Sequence, residues 1–436
     1  MTPGPAPRAP HGLGTGNDQT RRHNLSAVLT TLHHDGDHTR AHLTRRLGLN
    51  RSTISALVGE LVDLGLAYET AATAHAGVGR PSPHVHPDPS VGVIAVNPDT
   101  DAVTIGLVGL GGTVHRRMRV ETATVPTVAE TVALVERVIA DWTATAIATT
   151  PVRIVGVGVA VPGLVRTESG VVTMAPHLGW RDAPVAAPLG AALGLPVAVT
   201  NDAHAGAIAE SLYGAARGVR DLVYLNGSSG GIGGGVLVGG LPLRGARGFG
   251  AELGHTRAPG ATIVCHCGRT GCLETEVSLD RLLAVLGRTS IDLDELDAAL
   301  TGHATDPSVR HEVERQLDVL SSVLSDYVSV FEPERIVLGG FLGSLIAGGA
   351  DTLLDRVRAG AFAPLADDLT ITRAQLRSRL LLVGAAELAF APLLADPAGV
   401  AKSGPTLQVP STNSDPGPAN SDSAVWASDT SPSSAR

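Results

Sequence analysis

The stretch GFGAELGHTRAPGATIVCHCGRTGCLE, residues 248–274, contains every cysteine of the 436-residue chain. Within it lie four candidate metal ligands: His255, Cys265, Cys267 and Cys272. Three thiolates and one imidazole form a closed tetrahedral Zn²⁺ site, whose role is usually structural. His266 competes as the fourth ligand, but it lies between two cysteines and would have to fold back. The pattern predicts a structural zinc site; the alternative is three buried or redox-active thiols.

The composition indicates a protein of several domains with α/β layers. A single core rarely grows beyond about 250–300 residues, and the 43% hydrophobic content includes few aromatic residues. The N-terminus lacks the apolar core of a signal peptide, and no run of about 18 apolar residues occurs. These features predict a cytoplasmic location and no membrane partner. The formal charge of −9 means that any DNA contact must be local.

Composition and periodicity divide the chain into five segments. Both ends are polar and rich in proline or glycine, which predicts disorder. Short helical patterns precede a cluster of prolines and glycines near residues 77–90, and strands that alternate with helices follow it. The predicted division is a disordered tail at 1–18, a winged helix-turn-helix at 19–88, a first α/β lobe at 89–203 completed by a helix at 379–396, a second lobe with the zinc motif at 204–378, and a disordered tail at 399–436.

The pattern in residues 19–70 predicts three helices. The first covers about residues 19–33, and the second and third follow the candidate N-caps Thr39 and Asn50. Apolar residues recur along the third helix at helical spacing and define its inner face: Ile54, Leu57, Val58, Leu61 and Leu64. A short turn between two helices is typical of DNA-reading pairs. The alternative is a small helical bundle with no role on DNA.

Several side chains of this region are candidates for DNA contacts. The start of the third helix presents short, hydrogen-bonding side chains beside an arginine that can reach a guanine edge or a phosphate. The following segment predicts a wing, whose arginine is available to the minor groove or the backbone. The candidate DNA contacts are Arg40, Arg51, Ser52, Thr53, Ser55 and Arg80.

A second set of polar residues is typical of a polyol site. Asn201 and Asp202 end the strand pattern PVAVTND, and carboxylates and an imidazole flank the cysteines. Such groups can bind several hydroxyls through charge-assisted hydrogen bonds. The candidate sugar contacts are Asn201, Asp202, Glu252, His255 and Glu274. An Asn-Asp pair at a strand end is by itself more often a turn or a helix cap, and the glycine run at 228–235 fits either a ligand loop or a hairpin.

The motifs GFGAELGH and CHCGRTGCLE, together with VTNDAHAGAIAE, SGGIGGG and EPERIVLGG, resemble the ROK family of repressors, open reading frames and sugar kinases. The resemblance covers about residues 19–397 and implies an actin-like, ribonuclease-H-like fold of two lobes. It implies that the four candidate ligands hold zinc and that the five polar residues contact sugar. In the family's kinases the residue that matches Asp202 is the catalytic base. The N-terminal part is similar to the winged helix of the family's repressors.

One segment departs from the family's kinases. They open with an Asp-x-Gly-Gly-Thr loop for the ATP phosphates, whereas this chain has Asn97-Pro98-Asp99-Thr100-Asp101. Two glycines are replaced, and Asp99 and Asp101 would bring negative charge toward the phosphates, at a cost of several kcal/mol in a partly desolvated cleft. We therefore expect no kinase activity, with Asp202 binding sugar without catalysing transfer.

These observations predict a repressor of carbohydrate genes that acts as a homodimer or a dimer of dimers. Its expected partners are a double-stranded DNA operator and a sugar or sugar-derivative effector. The alternative is an ATP-dependent kinase of a hexose or N-acyl-hexosamine with an accessory DNA-binding head. A third possibility is a DNA-binding protein controlled by a protein partner, with a vestigial pocket.

Overall fold

A computed structural model describes residues 17–71, 82–144, 149–347, 350–400 and 406–410. Two compact units divide the chain. One comprises residues 1–88 and 391–403, and the other comprises residues 89–390 and 404–436.

The N-terminal unit, here called the head, is a winged helix-turn-helix. Its elements are α1 (Asn17–Asp35), β1 (His38–Thr39), α2 (Arg40–Leu47), α3 (Arg51–Asp63), β2 (Ala67–Thr70) and β3 (His84–Pro87). The strands form an antiparallel sheet in the order β1-β3-β2. Both predicted N-caps are confirmed: Thr39 Oγ1 accepts from His42 N at 3.1 Å, and Asn50 Oδ1 accepts from Thr53 N at 2.8 Å.

The helices of the head pack through the apolar positions that the sequence pattern predicts. The buried residues include Leu25, Val28, Leu29, Leu32, Leu43, Ile54, Leu57, Val58 and Leu61. Helix α1 begins before the predicted end of the N-terminal tail, because Asn17 and Asp18 are already helical. Asp18 accepts a hydrogen bond from Arg22 Nε at 3.0 Å, and a carboxylate in the first turn is favoured by the helix dipole.

The first lobe of the second unit is built on a mixed sheet with the order β11-β7-β4-β5-β6. Its elements are β4 (Val91–Pro98), β5 (Ala102–Gly109), β6 (Val114–Glu121), α4 (Val128–Ala144), β7 (Thr149–Val161), β8 (Leu164–Arg166), β9 (Val171–Ala175), β10 (Trp180–Pro184), α5 (Ala186–Leu193) and β11 (Val197–Asn201). Strands β4, β5 and β6 are antiparallel, β7 is parallel to β4, and β11 is parallel to β7. Apolar residues of the sheet pack against α4 and α5.

The second lobe repeats this arrangement with the order β14-β13-β12-β15-β16. Its elements are α6 (Asp202–Tyr213), β12 (Leu222–Ser228), β13 (Gly231–Val238), β14 (Leu241–Pro242), α7 (Leu273–Glu276), α8 (Leu279–Leu286), α9 (Leu293–Gly302), α10 (Pro307–Phe331), β15 (Arg335–Gly340), α11 (Phe341–Leu345), α12 (Ala350–Gly360) and β16 (Thr370–Arg373). The helix that follows, α13 (Leu380–Ala395), places Leu382 and Ala385 against Gly106 of β5 and Gly158 of β7 in the first lobe. Three antiparallel strands are again followed by two parallel ones. The chain therefore repeats one sheet pattern in two lobes.

The C-terminal residues differ from the prediction in two places. The predicted helix at 379–396 is divided between the units, because residues 391–403 group with the head. The predicted tail at 399–436 includes a strand, β17 (Thr406–Pro410), that pairs antiparallel with residues 149–153 of β7. Strand β11 covers only residues 157–161 of β7, so the first half of that edge is free to pair, and Leu407 is buried against the core.

One helical stretch within the described residues, Arg377–Ala395, has the length and hydropathy of a membrane span. Of its most apolar window, 61% is buried inside the fold. Such burial is typical of a core helix, and the stretch is weak evidence for a membrane segment.

Candidate functional site

The four predicted zinc ligands converge on one point of the second lobe. His255 ends a short 3₁₀ turn, and the cysteine loop folds back on it through isolated bridges between Arg257 and Cys272 and between Val264 and Thr270. The ligand atoms of His255, Cys265, Cys267 and Cys272 all lie within 4.8 Å of one another. The four residues are near one another in sequence, and the two bridges hold the cysteine loop in the conformation that places their ligand atoms together.

Their distances match those of a tetrahedral metal site. Cys267 Sγ lies 3.7 Å from Cys272 Sγ, and Cys265 Sγ lies 3.7 Å from His255 Nδ1. A tetrahedron with Zn–S bonds of about 2.3 Å has edges of about 3.8 Å. Cys265 and Cys272 are buried, and burial raises the pKa of the Cys265 thiol. A bound cation would offset that cost, because it ligates the thiolate. The donor set therefore fits a divalent ion such as Zn²⁺.

Glu274 connects the candidate metal ligands to the glycine-rich strands. Its Oε1 lies 3.2 Å from His255 Nδ1 and 2.8 Å from Cys265 Sγ, and its Oε2 accepts from Ile232 N at 3.3 Å. Burial would raise the pKa of Glu274, but hydrogen bonds from His255 and Cys265 outweigh it and lower that pKa. The carboxylate is held in one position by partners from three segments of the chain.

The glycine run forms the hairpin between β12 and β13. Gly231 has φ +127°, and a Cβ there would lie 2.4 Å from Glu274 Oε2. The absence of a side chain thus lets the carboxylate reach the backbone of the hairpin. The hairpin, one of the two predicted roles of the glycine run, is present in the structure.

Asp202 and Glu252 form the acidic part of the site. Burial and the negative charges of Asp99 and Glu252 raise the pKa of Asp202 to about 7, although a hydrogen bond from Ala203 N opposes the shift. Burial, together with Glu274, also raises the pKa of Glu252. Ala251 precedes Glu252 with φ +61°, a strained conformation for a residue with a Cβ. The carboxylates are therefore close enough to interact, and their protonation states depend on one another.

Asn201 caps the helix that begins with Asp202. Its Oδ1 accepts from His204 N at 3.0 Å, and its Nδ2 donates to Gly163 O at 3.0 Å. An amide group has two donors and two lone pairs, so one of each is left for a ligand. His204 Nε2 contacts Gly250 O at 2.8 Å, which joins this helix start to the GFGAELGH loop. This contact places the start of α6 beside the loop that leads to Glu252 and His255.

Two histidines outside the predicted sugar contacts lie beside this site. His266 Nδ1 is 3.4 Å from Glu274 Oε1, and its ring lies 5.4 Å from that of His177. His177 comes from a 3₁₀ turn of the first lobe and lies near Gly230. Of these two histidines, the sequence analysis singles out only His266, as a competing zinc ligand.

The segment at 97–101 forms a tight turn between β4 and β5. Asp99 N donates to Ala102 O at 2.8 Å, and Asn97 Nδ2 donates to Ala160 O at 3.0 Å. Asp101 forms an ion pair with Arg119 at 2.7 Å. The sequence predicts that both aspartates bring negative charge toward the phosphates of ATP. In the structure Asp101 is paired with Arg119, whereas the charge of Asp99 raises the pKa of Asp202.

The candidate DNA contacts at the start of α3 lie on its outer side. Arg51, Ser52 and Ser55 are exposed and Thr53 is partly buried. Ser52 Oγ donates to Asn50 Oδ1 at 2.7 Å. Arg80 lies outside the described residues. Arg45, exposed near the end of α2, adds a cation on the other side of the same turn and was not among the predicted contacts.

Arg40, by contrast, is bound within the head. Its Nε and Nη2 donate to the two carboxylate oxygens of Glu69, both at 2.6 Å, and its Nη1 donates to Ser55 Oγ at 2.8 Å. Arg21, Arg22 and Arg46 also form ion pairs. Among the described arginines of the head, Arg45 and Arg51 are left without an ion pair.

The fold combines, in one chain, a winged helix-turn-helix head and a sugar-kinase-like α/β unit. The family model described as the ROK family matches residues 93–391, and one described as the MarR family matches residues 26–77. The chain belongs to the ROK family. The resemblance that the motifs suggested is thereby confirmed, and so is the fold class.

Relatives of this chain include both regulators and enzymes. A putative xylose repressor of Caldicellulosiruptor sp. (strain Rt8B.4) is 27% identical over 395 residues, which cover 86% of this chain and 97% of that protein. A glucokinase of Streptomyces coelicolor (strain ATCC BAA-471 / A3(2) / M145) is 31% identical over 266 residues, which cover 55% of this chain and 81% of the enzyme. The similarity to the repressor includes the head.

A solved structure supports the fold over the same length. A ROK family transcriptional regulator, a homologue of the E. coli MLC protein, superposes with a TM-score of 0.71 at 24% identity and covers 86% of this chain and 97% of its own.

Proposed function

We propose that this protein is a DNA-binding repressor of carbohydrate genes that responds to a sugar. The observation that carries the proposal is that one chain contains both a winged head and a ROK unit. The similarity to the putative xylose repressor extends over 97% of that protein's length. Arg51, Ser52, Thr53 and Ser55 would read an operator from the outer side of α3, and Arg45 would contact a phosphate.

The proposed effector site comprises Asn201, Asp202, Glu252, His255 and Glu274. A sugar hydroxyl both donates and accepts, so fixed carboxylates, an amide and an imidazole can bind several hydroxyls of one ring. His255 directs Nδ1 toward Cys265, which leaves Nε2 for the sugar. We propose that Zn²⁺ on His255, Cys265, Cys267 and Cys272 fixes this ring and the loop that carries Glu274.

We further propose that the cleft does not transfer phosphate. Asp202 has the raised pKa that suits a general base, but the turn at 97–101 provides no pair of glycines and places the charge of Asp99 near Asp202. The carboxylate would then accept a sugar hydroxyl without catalysing transfer. The kinase alternative stays testable, because a glucokinase is among the relatives.

Repression requires a link between the two sites. We propose a homodimer, or a dimer of dimers, whose two heads read half-sites about one helical turn or a multiple apart. Sugar binding would change the orientation of the heads. A coupling free energy of about 1–3 kcal/mol changes operator affinity by roughly 5–150-fold.

A thermal-shift screen tests the effector site. The zinc-loaded protein is heated with xylose, glucose, their epimers, amino sugars and sugar phosphates, each with and without Mg-ATP. A ligand well above its Kd raises the melting temperature by mass action. We expect one sugar to stabilise the protein and Mg-ATP to have no effect. Stabilisation by Mg-ATP with formation of a sugar phosphate would establish the kinase instead, and the variant Glu274→Gln should lose the sugar response in either case.

A further inference from the structure

The guanidinium of Arg40 joins three elements of the head. Arg40 is the first residue of α2. Its guanidinium donates to Ser55 on the outer side of α3 and forms a two-pronged ion pair with Glu69 on β2. The side chains of Arg40 and Glu69 are 28% and 27% exposed. By comparison, Arg22 and Asp18 are 51% and 65% exposed in their ion pair. The Arg40–Glu69 pair is thus better shielded from solvent and salt.

This geometry opposes a contact between Arg40 and DNA. A guanidinium that reached a phosphate would have to leave both carboxylate oxygens, and Glu69 would then lie unneutralised near a polyanion. Charge-assisted, two-pronged pairs are about twice as strong as neutral hydrogen bonds. Arg40 would therefore have to give up a strong pair within the head to gain a phosphate contact of the same charge-assisted kind.

We propose that Glu69 is a specificity-determining residue of the head, because it withholds Arg40 from the DNA backbone. Phosphate contacts carry no sequence information, so each one that is added strengthens binding to every sequence. With Arg40 neutralised, the free cations of the described head are Arg45 and Arg51, on either side of the turn between α2 and α3. The inference rests on the proposed DNA-binding function.

The test measures how DNA affinity depends on salt. Full-length, zinc-loaded wild type and Glu69→Gln are titrated by fluorescence anisotropy between 50 and 200 mM NaCl against a labelled 30-bp duplex of random sequence. The same titration is repeated with a second duplex, selected by the wild-type protein from a randomised pool and here called the enriched duplex. Releasing Arg40 adds one phosphate contact per head, which steepens the log–log salt slope by about 0.9. The loss of affinity over this fourfold range should then be about threefold greater per head.

The preference for the enriched duplex over the random duplex should fall in Glu69→Gln, because the added contact is independent of sequence. Two further variants assign the effect. Arg40→Gln/Glu69→Gln should return to the wild-type slope, since the added contact belongs to Arg40. Glu60→Gln removes the same charge from another pair, with Arg21. Glu60 lies five residues after Ser55 and on a different side of α3. The salt slope of Glu60→Gln should therefore equal that of the wild type.

An unchanged slope in Glu69→Gln would overturn the inference, and so would a steep slope that persists in the double variant or appears in Glu60→Gln. A slope in Arg40→Gln that falls as much as in Arg51→Gln would also overturn it, since Arg40 would then contact phosphate in the wild type. Failure of the wild type to enrich any duplex would instead reject the proposed function, while the slopes on the random duplex still test Glu69.

Discussion

The head and the proposed sugar cleft differ in how their charged groups are partnered. In the head, arginines and carboxylates are paired, as in Arg40 with Glu69 and Arg46 with Asp35. In the cleft, Asp99, Asp202 and Glu252 lie close enough for their charges to repel, and the pKa of Asp202 rises to about 7. The head is nearly neutral with a few free cations, whereas the cleft concentrates like charges.

This difference follows from what each surface is proposed to bind. DNA attracts every exposed cation through its phosphates, so pairing most arginines restricts contact to the few that lie beside the recognition helix. A neutral sugar presents hydroxyl groups, and closely placed carboxylates can accept hydrogen bonds from them. The repulsion among them lowers stability, and hydrogen bonds from a bound sugar would offset part of that loss.

The largest effect is expected from removing one ligand of the proposed zinc site. Cys272→Ser removes one thiolate from a buried position, so the metal affinity should fall by more than about a hundredfold, since even an outer partner is worth about 10–100-fold. The metal content after dialysis, measured by plasma mass spectrometry, should drop from one equivalent toward zero, and the melting temperature should fall. His266→Asn is the matched control and should retain a full equivalent. A full equivalent in Cys272→Ser would disprove the assigned ligand set.

The next effect tests the free cations of the head against the paired ones. Arg51→Ala removes an exposed arginine without an ion pair, and it should lower affinity for the enriched duplex by about 1–3 kcal/mol. Arg46→Ala removes a paired arginine from the neighbouring helix, and the affinity should change much less. Both variants should bind sugar as the wild type does. Equal operator affinity of Arg51→Ala and wild type in a mobility-shift titration would refute the placement of the recognition helix.

The third expected effect is on stability and concerns the like charges of the proposed cleft. The pKa of Asp202 is raised from 3.8 to about 7, so the folded protein holds a proton that the unfolded chain releases near pH 4. Stability due to this group is therefore present below about pH 4 and is lost as the pH rises to about 7. Asp202→Asn should be more stable than wild type at pH 8, on the order of a few kcal/mol, and similar at pH 4.

Calorimetric melts of both proteins at the two pH values measure this difference. The asparagine of the variant keeps a side-chain oxygen that can accept from Ala203 N, as Asp202 Oδ1 does, so the helix start is preserved. The same variant should lose sugar affinity at both pH values. A constant difference in stability between pH 4 and pH 8 would show that Asp202 does not titrate in this range.

Local patterns accounted for much of the fold. The caps Thr39 and Asn50 and the apolar spacing of the third helix predicted the helices of the head, because these signals act within a few residues. The strands that alternate with helices after residue 90 were predicted for the same reason. The strand at 406–410 was not, because its partner is the free edge of β7, more than 200 residues earlier in the chain.

The sequence by itself determined which chemistry this protein carries: the cysteine cluster, the carboxylates, the recognition helix and the family. Residue identity and short spacing suffice for these, since ligand type and helix periodicity are local properties. Only the tertiary structure decided how those groups are partnered. Arg40, a candidate DNA contact, is paired with Glu69 of β2, and Asp101, a candidate charge of the cleft, is paired with Arg119 of β6. Ion pairs between distant residues depend on strand pairing and helix packing, which no local pattern encodes.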